Sequence, residues 1–272
     1  MINILYSSSS DKYFKQMLLS LISLKNSTKE RLNVINFNVS LKSFDKDSRI
    51  LTDSEVDFFN KVLKSTNKES SFKNIDLSSL FEKELFFGPN LNCKYYSYFV
   101  TIRLLADLVE EVNGKFLYVD TDVLFINDVK ELFDIDISTV ELAGRRDKGR
   151  ISNYINSGVM LLNMDLIRKT GLLKKARQLV TTKKYIAYID MSAINKACKK
   201  RLILPKKFND FTYNKNSVIH HVCATRLSKI PLTKKWWRRI KPDEENLMLK
   251  LYPEHKKIYE EFNDYKKITP LF

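Results

Sequence analysis

Ile2 to Tyr6 is an apolar, β-prone run interrupted only by Asn3, and it leads into Ser7-Ser8-Ser9-Ser10-Asp11. Beyond that polar stretch the spacing changes. Phe14, Met17, Leu18, Leu21 and Ile22 recur at three and four residues, which marks one buried helix face between Tyr13 and Leu24. Strand, polar loop, helix is the opening of an α/β domain, and it sets the loop at the carboxyl edge of the sheet, where ligands bind. The alternation continues: Arg31 to Val39 predicts a second strand, and Thr52-Asp53-Ser54-Glu55 predicts a capping box before a helix to about Leu63. Phe72 to Leu77 predicts a third strand, and Ser78 to Lys94, around Gly88-Pro89-Asn90, reads as a long loop. Tyr95 to Val112 predicts a helix closed by Asn113-Gly114, followed by a buried strand from Lys115 to Val119. Val140 to Gly144 and Asn156 to Leu162 predict further strands, Leu166 to Val180 a helix, and Ile189 to Cys198 a shorter one. Strands and helices in this order predict a mixed α/β sheet covered on both faces.

Composition narrows this to one domain. The 272 residues are 44% hydrophobic and include only 6 Gly and 6 Pro, enough for a substantial core and too few for a long linker. No stretch approaches the roughly 18 apolar residues of a membrane span, and Met1 to Tyr6 lacks the basic and apolar regions of a secretory signal. Cys93, Cys198 and Cys223 are odd in number and widely spaced, as free thiols in a reducing compartment would be. The expected location is the cytoplasm.

Charge adds a partner question. The formal net charge is +15, and Lys199 to Phe272 carries 18 Lys or Arg against 8 Asp or Glu. Within that third, Lys234-Lys235-Trp236-Trp237-Arg238-Arg239-Ile240-Lys241 interleaves indoles with cations. Such a tract suits an anionic membrane surface, a polyanion or a single nucleic-acid strand, or two core tryptophans with solvated cations beside them.

The sharpest chemistry lies at the end of the predicted strand Lys115 to Val119, which runs into Asp120-Thr121-Asp122. In an extended segment residues i and i+2 share a side, so both carboxylates converge on one point. Two like charges beside an apolar strand need a counter-ion. A hard divalent ion on these oxygens would bridge them to a pyrophosphate and stabilise a departing nucleoside diphosphate as a Lewis acid. One alternative is a phosphatase of the haloacid dehalogenase type, whose first motif is also an apolar strand followed by two aspartates one residue apart. That motif normally opens the chain, however, and here it lies at residue 120. A non-enzymatic basic module binding membrane or nucleic acid is the other alternative.

Several blocks follow one another in an informative order: Arg103-Leu104-Leu105, Tyr118-Val119-Asp120-Thr121-Asp122, Ala143-Gly144-Arg145-Arg146-Asp147, Asn156-Ser157-Gly158-Val159, Asp190 to Asn195, and Val218 to Cys223. Together they resemble glycosyltransferase family 8, the retaining group that includes glycogenin and bacterial lipopolysaccharide galactosyl- and glucosyltransferases. The resemblance is clearest from Tyr98 to Lys199, and the block at Asn156 is its most specific element. It implies a GT-A-like α/β domain over residues 1–230, a Rossmann-like mixed sheet flanked by helices, with a basic C-terminal helical extension over 231–272 packed on or attached to it. It implies retaining transfer of glucose or galactose from a UDP-sugar, with Mn2+ or Mg2+, to a glycan, glycolipid or protein-linked sugar.

By the family's pattern Asp120, Asp122 and His221 hold the metal. His220 and His221 point to opposite sides of an extended segment, and His221 matches the pattern better. Tyr6, Ser7, Ser10, Asp11 and Thr121 are expected at the nucleotide. Arg103, Asn156, Ser157, Gly158, Met191, and Arg226 or Lys229 are expected at the donor sugar and diphosphate. Asp147 and Asp190 are the acids expected near the reacting carbon, with no nucleophile assigned. The resemblance favours peripheral contact with an anionic membrane for the basic, aromatic tract, and no nucleic acid is expected. Three departures stand out. Serines occupy the first loop where relatives have an acid, and Met191 replaces a glutamine. After His221 the usual glycine, lysine and tryptophan are displaced, with Ala224, Arg226 and Lys229 in that region and Lys235-Trp236 further on.

Overall fold

The fold was analysed in a computed structural model of the chain, which describes residues 1–85, 97–147, 154–182, 188–224, 240–269 and 271. Strands β1 (Ile2–Ser8), β2 (Leu32–Asn38) and β3 (Ser71–Asp76) pair in parallel, connected through helices α1 (Asp11–Ser27) and α2 (Asp53–Lys64). On the other side of β1 lies β4 (Lys115–Val119), also parallel. The sheet continues through β7 (Val159–Asn163) and β6 (Leu142–Arg145) to β8 (Arg201–Leu204), giving the order β3-β2-β1-β4-β7-β6-β8. Of these strands β7 alone runs against the rest, antiparallel to both β4 and β6. A second, two-stranded sheet pairs β5 (Val123–Phe125) with β9 (Ile219–His221) antiparallel, placing Val123 opposite His221.

Both faces of the central strands β1, β4 and β7 are buried, which is why these strands read as near-continuous apolar runs. Ile4 and Leu117 pack with Phe14, Leu18 and Phe59 of α1 and α2. Their chain neighbours Leu5 and Tyr118 pack on the opposite face with Phe99, Leu104, Ile167 and Ala176. That second layer comprises α3 (Ser78–Leu85), a 3₁₀ helix from Tyr98 to Leu108, α5 (Met164–Thr170), α6 (Leu172–Thr182) and α7 (Ile189–Ala197). A short α4 (Lys130–Phe133) follows β5. The C-terminal part supplies α8 (Glu245–Leu251) and α9 (Lys256–Lys266), and Ile240, Met248, Tyr259 and Phe262 join the first core beside α1. No helix among the described residues is long and apolar enough to cross a membrane.

The capping box is present: Glu55 N–H donates to Thr52 Oγ1, and the Glu55 carboxylate accepts from Thr52 N–H at 2.8 Å. Other expectations need correction. Ser78 to Leu85 is helical rather than looped, because Phe81 and Leu85 give it a buried face. The helix expected from Tyr95 to Val112 is a 3₁₀ helix from Tyr98 to Leu108, started by Ser97 Oγ accepting from Phe99 N–H. The single helix expected from Leu166 to Val180 is two, because Gly171 adopts φ +67° and caps the first. The strand expected from Asn156 starts only at Val159.

Candidate functional site

The site forms where β4 ends. Asp120 N–H donates to the Gly158 carbonyl at 2.8 Å, continuing the β4–β7 ladder by one bond. Thr121 and Asp122 then turn the chain into β5, so a turn, and not the extended geometry assumed from spacing, brings the two carboxylates together. Thr121 is buried, and its hydroxyl donates to Gln16 of α1 at 3.3 Å. Strand β9 lies against β5, and Val222 N–H donates to the Asp122 carbonyl at 2.9 Å.

Alternation along β9 separates the two histidines. His220 faces His255, with 3.1 Å between ring nitrogens, and packs edge-on to Tyr252. His221 faces the carboxylates, its Nε2 3.2 Å from Asp122 Oδ1 and 4.0 Å from Asp120 Oδ2. One ligand atom from each of Asp120, Asp122 and His221 lies within 4.8 Å of the others. His221 Nε2 is buried and faces the two carboxylates, with no hydrogen bond to another group among the described residues. Two carboxylates and an imidazole nitrogen turned toward them form a mixed oxygen and nitrogen donor set that fits a divalent ion.

Gly158 permits this convergence. A Cβ there would overlap His221 Cε1 and come within 2.7 Å of Asp120 Oδ2. The sequence reading gave this glycine to close approach of a sugar; the structure fills the space with the site's own side chains.

A buried cation anchors the cluster from behind. Arg103 donates to Asp120 Oδ1 and to the Ser157 carbonyl, both at 2.7 Å, and lies 3.3 Å from Asp190 Oδ2. Its guanidinium stacks 4.3 Å over the Tyr118 ring. The expectation that Arg103 faces phosphate is corrected to that extent: a guanidinium this deeply buried needs anionic partners within the protein, and it has them. Tyr118 donates its hydroxyl hydrogen to Asp120 Oδ1 at 3.1 Å and therefore accepts from Ser7 Oγ at 2.8 Å.

From the C-terminal part Lys241 Nζ reaches Asp122 Oδ2 at 2.9 Å. Burial drives the Asp122 carboxyl toward protonation, but Lys241 and His221 outweigh it and hold the group below the usual carboxylate range. Burial raises the Asp190 pKa, with Arg103 opposing. Asp122 therefore carries its charge where Asp190 is pushed toward the neutral form.

On the far side of Gly158, Asn156 Oδ1 accepts from Gly158 N–H and from Asn209 Nδ2, both at 3.1 Å. Asn156 Nδ2 donates to Asp147 Oδ1 at 3.2 Å. With both oxygen lone pairs used, Asn156 keeps one N–H outside these bonds.

The remaining expected residues are less central. Tyr6 is a core side chain with its hydroxyl 2.8 Å from Ser20 Oγ, which leaves only its backbone to meet a nucleotide. Ser10 is buried, and its carbonyl accepts from Tyr13 and Phe14 N–H at the start of α1. Asp11 is exposed and pairs with Arg49. Met191 is buried on α7 beside Asp190. Arg226, Lys229 and the tract from Lys234 to Arg239 lie outside the described residues. Two residues were not expected at the site, Lys241, read only as the last cation of the basic, aromatic tract, and Asn209 against His221. The available signal for Asn209 was a polar pair, Asn209-Asp210, set between Phe208 and Phe211.

Known proteins resemble this chain in sequence and in fold. The chain is 28% identical over 157 residues to the lipopolysaccharide 1,3-galactosyltransferase of Salmonella typhimurium, covering 49% of this chain and 46% of that protein. The match thus spans less than half of the relative's length. Among solved structures, galactosyltransferase LgtC in complex with donor and acceptor sugar analogs superposes with TM-score 0.57 at 17% identity, over 86% of this chain and 92% of that one. The apo-form glycosyltransferase GlyE of Streptococcus pneumoniae gives TM-score 0.63 at 16% identity, over 97% of this chain and 63% of its own. At these identities the two structures speak for the fold alone. The sequence profile of glycosyl transferase family 8 matches residues 3–230, from the first strand past the histidine that faces Asp120 and Asp122, and the chain belongs to that family.

Proposed function

We propose that the chain transfers a hexose, glucose or galactose, from a UDP-sugar to a glycan, glycolipid or protein-linked sugar, with retention of configuration and with Mn2+. The observation that carries the reading is the convergence of Asp120, Asp122 and His221 Nε2 at the carboxyl end of β4. These three side chains would hold the ion, whose chemistry is Lewis-acid stabilisation of the departing diphosphate.

The chain's own groups do the rest. Arg103 and Tyr118 fix the rotamer of Asp120 through its Oδ1, leaving Oδ2 turned toward His221. Lys241, about one third exposed, is a described cation beside the carboxylates that a diphosphate would meet. Asn156 and Asp147 offer polar atoms to sugar hydroxyls. Transfer breaks the bond from the anomeric carbon to the phosphate oxygen and forms one to the acceptor oxygen on the same face. The acceptor's proton passes to the leaving phosphate, so neither Asp190 nor Asp147 has to act as nucleophile. Residues 1–230 are the proposed catalytic domain, and 231–272 a basic extension that contacts an anionic membrane peripherally.

The test is a panel of UDP-, GDP- and CMP-sugars incubated with the purified protein and Mn2+, with and without chelator. Hydrolysis of one UDP-sugar that stops on chelation is expected. Turnover indifferent to chelator would remove the metal, and failure to bind any nucleotide sugar would remove the transferase reading for this chain.

A further inference from the structure

The polar groups behind His221 form a chain of hydrogen bonds whose direction follows from its fixed ends. Gly158 N–H can only donate, and it donates to Asn156 at 3.1 Å, which identifies the accepting atom as the amide oxygen. Asn156 then presents its nitrogen to the Asp147 carboxylate at 3.2 Å, and a carboxylate accepts, so both ends agree. The Asn209 atom 3.1 Å from Asn156 Oδ1 must therefore be nitrogen. That orientation turns Asn209 Oδ1 toward His221, where it lies 2.9 Å from Nδ1. An amide oxygen cannot donate, so Nδ1 carries the hydrogen.

We propose that Asn209 is a positioning residue of the metal site, holding His221 with Nδ1 protonated so that Nε2 is the nitrogen offered to the ion. The proposal rests on Asp120, Asp122 and His221 being the ligands. Three features make Asn209 specific for this task. It is fully buried, so water does not substitute for its amide. Its own carbonyl accepts from Arg145 Nη1 at 2.6 Å, which holds its backbone. Asp210 N–H donates to the Ile219 carbonyl and His221 N–H to the Asp210 carbonyl, both at 2.8 Å, so the segment carrying the amide is fastened to the strand carrying the imidazole. Partners of this kind orient a ligating ring and fix which nitrogen is free. The same amide ties His221 to Asn156, so the metal side and the proposed sugar side share one side chain.

The experiment is a Mn2+ titration, read by the electron paramagnetic resonance of free ion, on the full chain and on His221→Ala, Asn209→Leu and Asn209→Asp. His221→Ala should abolish tight binding, and Asn209→Leu should weaken it about 10- to 100-fold. Asn209→Asp keeps an acceptor for Nδ1–H but sets its second oxygen against Asn156 Oδ1, so its affinity should fall between those of the parent and Asn209→Leu. Because a buried leucine at 209 can unfold the protein, the unaltered 15N-labelled chain is also loaded with diamagnetic Zn2+ and its imidazole nitrogens observed by NMR. A protonated Nδ1 on His221 is expected. Asn209→Leu binding Mn2+ like the parent, Asn209→Asp no better than Asn209→Leu, or an unprotonated Nδ1 would each overturn the role of Asn209. Equal binding by the parent and His221→Ala would instead overturn the ligand assignment.

Discussion

At position 158 a methyl group decides the fate of the site. Its overlap with His221 and Asp120 means Gly158→Ala must push the histidine away from the carboxylates. Overpacking of this kind costs about 1–3 kcal/mol, and Mn2+ affinity should fall at least about tenfold by the movement of one ligand. Calorimetric titration beside urea unfolding separates the two effects, and a folded variant with unchanged affinity would place Gly158 outside the site. Arg103→Leu probes the opposite side by leaving Asp120 and Asp190 without their cation. Removing one partner of a buried pair costs about 3–5 kcal/mol, so a loss of unfolding free energy in urea smaller than about 1 kcal/mol would contradict the pairing described. The carboxylates were legible in sequence because an apolar strand running into two aspartates is a local pattern. Asn209 and Lys241 were not, because each acquires its meaning from a residue far along the chain: Asn209 meets Asn156 across 53 positions and Lys241 meets Asp122 across 119.

Elements were legible where periodicity and caps agreed. Thr52 and Glu55 announced α2, and the apolar stripe from Phe14 announced α1. Periodicity alone ran Leu166 to Val180 together, because a 3.6-residue pattern survives a one-residue break while backbone direction does not. Gly171, at φ +67°, is where direction changes, and nothing lies within 4 Å of a Cβ built there. Gly171→Ala should therefore cost about 1 kcal/mol through backbone strain and leave Mn2+ binding intact. Comparable stability in thermal melts would show that the α5–α6 junction tolerates another geometry. The 3₁₀ helix of Tyr98–Leu108 was invisible as such, since its apolar content fits either helix type.

Over the whole molecule, the C-terminal helices are integral to the first core: Tyr259 and Phe262 pack there, and the Tyr259 hydroxyl donates to the Pro242 carbonyl at 2.6 Å. The fold class was readable from alternation, and the extension was expected to be packed on or attached to the domain; which of its side chains join the core was not readable, since each meets partners far away in sequence. Within it His255 faces His220, Tyr213 and Tyr252, with Glu254 nearby, and burial pulls its pKa down to about 4. The unfolded chain takes up this proton near pH 6.5. Stability from His255 is therefore complete above that value and drains as pH falls toward 4, by at most about 3 kcal/mol. Urea midpoints at pH 7 and pH 5 should differ more for the parent than for His255→Gln, and parallel behaviour would dismiss the histidine as the cause.

The β5–β9 pairing sets Val123 against His221, and this has a bearing on birth at the ribosome. At roughly 5–20 residues per second, about a hundred residues separate synthesis of the aspartates from that of the histidine, an interval of roughly 5–20 s. A nascent chain would spend that interval with Arg103 and both carboxylates made and no imidazole to join them. Metal capture would then report that translation has passed β9, making the ion a late arrival that rewards only chains in which β5 and β9 have both been made.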